Sequence, residues 1–115
     1  MTSITIYTLN GRIQGFQASG HAGAKKIRGY DLICCAVSAL TQTGVNALET
    51  VAGVLPLVQV EDGFLRCILP EGLHETEMAH AQIVLETVIT GLKNIEEIYP
   101  KLVRIRKEEW RQADA

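Results

Sequence analysis

No sign of charge dominates this chain. Across 115 residues, 11 Lys and Arg stand against 13 Asp and Glu, a formal net charge of −2. No global field therefore draws it onto nucleic acid or an anionic membrane. The opening residues, MTSITIYTLN, lack a basic region followed by an apolar run, so no secretory leader is expected. No apolar stretch approaches the roughly 20 residues that a membrane-spanning helix needs, so no membrane partner is expected. Linkers, low-complexity tracts and convincing tandem repeats are missing as well, which leaves one domain over residues 1–115. Cysteine is scarce: Cys34, Cys35 and Cys67 are an odd number, and two of them are adjacent, poor geometry for a disulfide. With no export signal, that usage implies a reducing cytosol and reduced thiols. His21, Cys34, Cys35 and Cys67 could be offered to a metal, but no Cys-x-x-Cys or His-x-x-x-His spacing supports a structural zinc site. No cofactor or metal is expected.

What is present is an ordinary globular composition, 47% apolar and 21% charged. Ile4 to Thr8 alternates apolar and polar residues and predicts a strand. Asn10-Gly11 is the preferred pair for a type I′ turn, and Arg12 to Ser19 is the returning strand, with a slip near Gly15 that suggests a bulge. Ala22 to Gly29 is a loop. Asp31 is placed to cap a helix running to about Ala52, whose apolar stripe is Val37, Leu40, Gly44, Leu48 and Val51. Gly44 on that stripe predicts close approach by another backbone. Asp62-Gly63 separates two further strands, 57–61 and 64–69. A long helix follows, from about His74 to Glu97, with an apolar face wide enough to pack on a sheet and on something else besides. Pro100 stops it, Leu102 to Arg106 is a last strand, and 107–115 reads as a solvated tail. The order β-β-α-β-β-α-β predicts an α+β fold, a mainly antiparallel sheet with two helices packed on it.

The chemistry gathers between Gly20 and Ser38. His21 leaves the second strand, and Cys34 falls in the first turn of the helix that Asp31 caps. A thiol attacks as the thiolate, which a helix N-terminus or a nearby imidazole favours. Asp31, Cys34 and Ser38, at i, i+3 and i+7, share one helix face. The structural alternative for Cys34 is a core cysteine, the usual fate of a thiol in a cytosolic protein. Cys35 points about a hundred degrees away and reads as core packing, as does Cys67. His74 and His80 lie on different faces and read as exposed. Lys25, Lys26 and Arg28 make the loop basic. No aromatic platform accompanies them, so direct nucleic-acid binding is not expected. A glycine-hinged lid over the cysteine suits the loop better.

Gly20-His21-Ala22, then a variable loop, then Gly29-Tyr30-Asp31-Leu32-Ile33-Cys34 and Ala36-Val37-Ser38 closely resemble the signature of the ribosomal-processing cysteine protease Prp family. The resemblance covers nearly the whole chain. It implies a small cytosolic homodimeric cysteine endopeptidase whose substrate is an N-terminally extended large-subunit ribosomal protein. The extension is removed by cutting after an aromatic residue and before a small one. It puts the catalytic cysteine on Cys34 and the histidine on His21, with Asp31 and Ser38 in supporting roles, and a loop that moves on substrate binding. Cys35 departs from the pattern, since a small residue such as alanine is expected there. The competing classes are a non-enzymatic dimeric module that binds ribosomal protein or RNA, and a thiol hydrolase acting on another peptide. For the mechanism, the backbone N–H groups of Cys34 and Cys35 are candidate oxyanion donors.

Overall fold

The computed structural model describes residues 1–21, 23 and 31–111. Seven elements follow in the expected order: β1 (Thr2–Leu9), β2 (Arg12–Ser19), α1 (Leu32–Thr50), β3 (Leu57–Glu61), β4 (Phe64–Ile68), α2 (Glu75–Ile98) and β5 (Val103–Glu109). The strands form one sheet in the order β3-β4-β2-β1-β5. All neighbours are antiparallel except β1 and β5, which run parallel.

The topology explains why both helices lie on one face. β2 and β3 both oppose β4, so they run parallel to each other and α1 is the crossover between them. β4 and β5 are likewise parallel, and α2 joins them. The second crossover starts from a strand of opposite direction and travels the opposite way along the sheet. Those two reversals cancel, so right-handed crossovers put both helices on the same side. Ile4, Phe16, Ala18, Cys67 and Val103 face them, and the core forms there with Val37, Leu48, Leu85, Val88 and Leu92. Each large side chain buried this way contributes roughly 1.5–3 kcal/mol.

Local signals account for the joints. Asn10 and Gly11 both adopt positive φ, 52° and 77°, as a type I′ turn requires. The register slips between Tyr7 and Thr8, so that Tyr7 pairs with Gly15 and Thr8 with Ile13. Gln14 is the extra residue of this bulge, and its side-chain amide donates to the Leu69 carbonyl at 3.0 Å. α1 ends where Gly53 turns to φ 69° and the Val54 N–H reaches back to the Leu48 carbonyl at 2.7 Å. A methyl group on Gly44 would lie 2.8 Å from Val88 Cγ2, so this glycine sets how closely α1 meets α2.

Three expectations change. The segment from Lys107 is not all tail: β5 continues through Glu109 beside β1, its last side chains exposed but its backbone in the sheet. Trp110 then donates its N–H to the Thr8 carbonyl and sets its ring edge-on to Tyr7, centroids 5.0 Å apart. Residues 112–115 lie outside the described set. Cys35 is exposed, not core, because the buried stripe of α1 runs through Val37, Thr41, Gly44 and Leu48. α1 is also long and apolar enough, by length and composition, to cross a membrane. No charge interrupts it between Leu32 and Leu48, but scattered Thr, Ser, Gln and Asn disguise the run. In the fold that stripe packs on α2 and the sheet. The wide apolar face of α2, as expected, packs on the sheet and on a second element, α1: Val84, Val88 and Ile89 are buried, and Ile83 is left out.

Cys67 lies under this core as expected, fully buried, and burial pushes its thiol from 9.0 up to about 12. Above about pH 9 the unfolded chain releases that proton while the folded chain keeps it. Stability from this group is therefore intact below pH 9 and falls as pH rises toward about 12. Thermal melts of Cys67→Val should lose less of their Tm over that range than wild type does. Equal losses would show that the buried thiol carries no such linkage.

Candidate active site

Asp31 builds the site's first wall. It is extended, φ −85° and ψ 103°, and its Oδ1 accepts from the N–H groups of Ile33 and Cys34, both at 3.0 Å. This is the expected N-cap, and it fixes Cys34 in the first turn of α1. The other oxygen, Oδ2, accepts from the Gly23 N–H at 3.0 Å. One carboxylate thus holds the helix start and the backbone two residues beyond His21. The hinged loop expected over Ala22–Gly29 lies, apart from Gly23, outside the described residues, as do Lys25, Lys26 and Arg28.

His21 is placed from the other side. β2 runs out at Gly20, φ 88°, whose N–H donates to the Gly63 carbonyl at 2.8 Å. Gly63 is the second residue of the β3–β4 turn, also at positive φ, 69°. His21 then stands over Gly63: a methyl there would lie 3.1 Å from Nε2. The glycine leaves the room that the imidazole occupies.

His21 and Cys34 both line one cleft of about 340 Å³. Ser38 lines it as well, one turn along α1, with Thr41 and Gln42 beyond. Ala18, Val37, Val60, Phe64 and Leu65 supply its apolar lining, Ser19, Glu61 and Asp62 add polar groups, and Thr2 lines it with its hydroxyl oxygen buried. Cys34 is part-exposed and Cys35 exposed, and neither is in a disulfide. Three of the four residues singled out from sequence therefore share a cavity, and the fourth, Asp31, positions it from below the helix end. His74 and His80 are exposed and do not line it.

One expectation fails here. The backbone N–H of Cys34 is taken by Asp31 Oδ1, and that of Cys35 donates to the Asp31 carbonyl at 3.0 Å. A helix start already capped has no such donors to offer an oxyanion. The sequence reading also missed the β3–β4 hairpin, Thr2 and Gln42 as cleft walls. Asp62-Gly63 marked a turn, but nothing local showed that the turn would reach His21.

A thiol in a helix's first turn and an imidazole, facing one cleft, are the equipment of a cysteine peptidase. Residues 1–104 match the family described as "Cysteine protease Prp". A Bacillus subtilis (strain 168) relative, the ribosomal processing cysteine protease Prp, is 33% identical over 95 residues, covering 81% of this chain and 84% of the relative. The S. aureus protease Prp, solved with a covalently linked product peptide, superposes with a TM-score of 0.82 at 25% identity, over 94% of this chain and all of that one. A Streptococcus mutans structure gives a TM-score of 0.80 at 28% identity, over 96% of each chain. The chain belongs to the cysteine protease Prp family and is a cysteine protease. A non-enzymatic binding module is thereby set aside.

The Asp31 cap is open to direct measurement. Asp31→Ala should lower stability by about 1 kcal/mol, the usual loss of a cap. Asp31→Asn should lose much less, since its amide oxygen can still accept from Ile33 and Cys34. Equal Tm values for both variants would show that the side chain carries no capping energy.

Proposed function

We propose that this protein removes the N-terminal extension of a large-subunit ribosomal protein during ribosome maturation in the cytoplasm, with Cys34 as nucleophile and His21 as its base. One observation carries this reading: two distant elements, the exit of β2 and the first turn of α1, bring that imidazole and that thiol to the same cleft. The family and the names of its ribosomal-processing members support the substrate class.

In the proposed reaction His21 accepts the Cys34 proton, and the sulfur attacks the scissile carbonyl carbon. The tetrahedral intermediate collapses as His21 returns the proton to the leaving amine. Water, deprotonated by the same imidazole, then hydrolyses the thioester and restores the thiol. Since the amides of Cys34 and Cys35 are engaged, the oxyanion needs other donors, and the Ser38 hydroxyl and Gln42 amide line the cleft. The apolar walls, Ala18, Val37, Phe64 and Leu65, suit the aromatic side chain expected before the cut.

We also propose a homodimer. Four of the most exposed apolar side chains lie on the segment from Val51 through β3: Val51, Leu55, Leu57 and Val60 are each about two-thirds exposed, as are Ile83 and Ile98 on α2. β3 is an edge strand, and an apolar edge invites pairing with another chain. Sedimentation at micromolar concentration should give twice the 12.6 kDa chain mass. A monomer at that concentration would refute it.

The decisive experiment incubates the protein with the extended ribosomal protein of the same genome. Wild type should release a shortened product, Cys34→Ala should release none while keeping its fold, and Cys35→Ala should retain most activity. Cleavage by Cys34→Ala would reject the assignment, and total loss in Cys35→Ala would move the nucleophile to the neighbouring thiol.

A further inference from the structure

The two hairpins of this sheet turn differently. Both join their strands through two residues, Asn10-Gly11 between β1 and β2 and Asp62-Gly63 between β3 and β4. In the first, both residues take positive φ, the form that suits the twist of paired strands. In the second only Gly63 does, at 69°. Asp-Gly favours the first form as Asn-Gly does, so local preference does not account for the difference. What sets the second turn apart is its neighbour. The Gly63 carbonyl accepts the Gly20 N–H at 2.8 Å, and the space beside its Cα is filled by the His21 ring.

That ring has no tether of its own. Among the described residues nothing hydrogen-bonds the His21 imidazole, so contact must set its rotation. A methyl group on Gly63 would lie 3.1 Å from Nε2, 3.5 Å from Cε1 and 3.8 Å from Cδ2. The first distance is inside the separation at which dispersion contacts are best. The turn cannot retreat, because Ser19 pairs with Phe64 across β2 and β4 and the Gly20–Gly63 bond holds its tip. The imidazole is the part that would give way. We propose that Gly63 is a positioning residue: the Asp62-Gly63 turn seats the imidazole of His21, and the bare Cα at 63 lets the ring settle where it can take the Cys34 proton. This inference rests on the proposed dyad and adds the group that orients its base. Gly63 acts through His21.

The test separates ring placement from backbone strain. Each variant is made in a Cys35→Ala background, so that iodoacetamide reports Cys34, Cys67 being buried. Gly63→Ala puts a methyl beside the ring. Gly63→Asn also adds a Cβ there, in a residue type that accepts left-handed backbone, as Asn10 does at φ 52°. Gly72→Ala is the control, with φ 76° and nothing within 4 Å of the added methyl. On a peptide spanning the junction of the ribosomal protein's N-terminal extension, both Gly63 variants should lose kcat roughly tenfold with KM little changed. The pH at which Cys34 begins to react should rise, because a displaced imidazole steadies the thiolate less. Gly72→Ala should lose Tm as Gly63→Ala does, yet keep its kcat and reactivity profile. Wild-type kcat and profile in folded Gly63→Asn overturn the proposal, as does an equal loss of kcat in Gly72→Ala. His21→Ala separates the two readings. If it is inactive while the Gly63 variants are not, the dyad stands and the seat falls. If it leaves kcat and the Cys34 profile unchanged, the dyad falls and takes the seat with it.

Discussion

Two oxygens of one carboxylate hold this site together. Asp31 Oδ1 satisfies the backbone donors at the head of α1, and Oδ2 reaches back to Gly23, just beyond His21. The first contact decides the turn on which Cys34 sits. The second ties the chain leaving β2 to the chain entering α1, so the histidine and the cysteine are referred to a common anchor. Both oxygens of that carboxylate thus accept from backbone donors, on the helix start and on the chain beyond His21.

The same arrangement removes one source of catalytic power and leaves others. Capping the helix engages the amides of Cys34 and Cys35 with Asp31. The helix start still presents its positive end to the thiol region. The opposite wall comes from the β3–β4 turn, held to β2 by the Gly20–Gly63 backbone contact. Here glycine at 63 serves two needs, the left-handed turn and the space under the imidazole. Hairpin and helix are thus joined through the residues on either side of the cleft, and the core behind them is continuous with its apolar lining.

Much of this was legible in the residues. Asn10-Gly11, the slip near Gly15, the cap at Asp31 and the stop at Gly53 are each decided within a few residues of chain, by φ preferences and by short side chains bonding nearby backbone. The pairing of His21 with Cys34 was legible for a related reason: a strand exit and a helix start separated by one short loop cannot lie far apart. Other features were not. Cys35 was taken for core because an apolar neighbour on a helix looks buried until the packing partner is known. Lys107 to Glu109 looked like a solvated tail because charge hides a strand whose backbone, not its side chains, joins the sheet.

The amino-acid order by itself determined the elements, their sequence and the two groups that chemistry would need, because turns, caps and periodicity act over the range of a few residues. Tertiary structure alone decided which hairpin closes the cleft and which thiol is exposed. Those outcomes depend on pairings across the sheet and on two crossovers landing on one face. No local preference encodes a neighbour as distant in the chain as Gly63 is from His21.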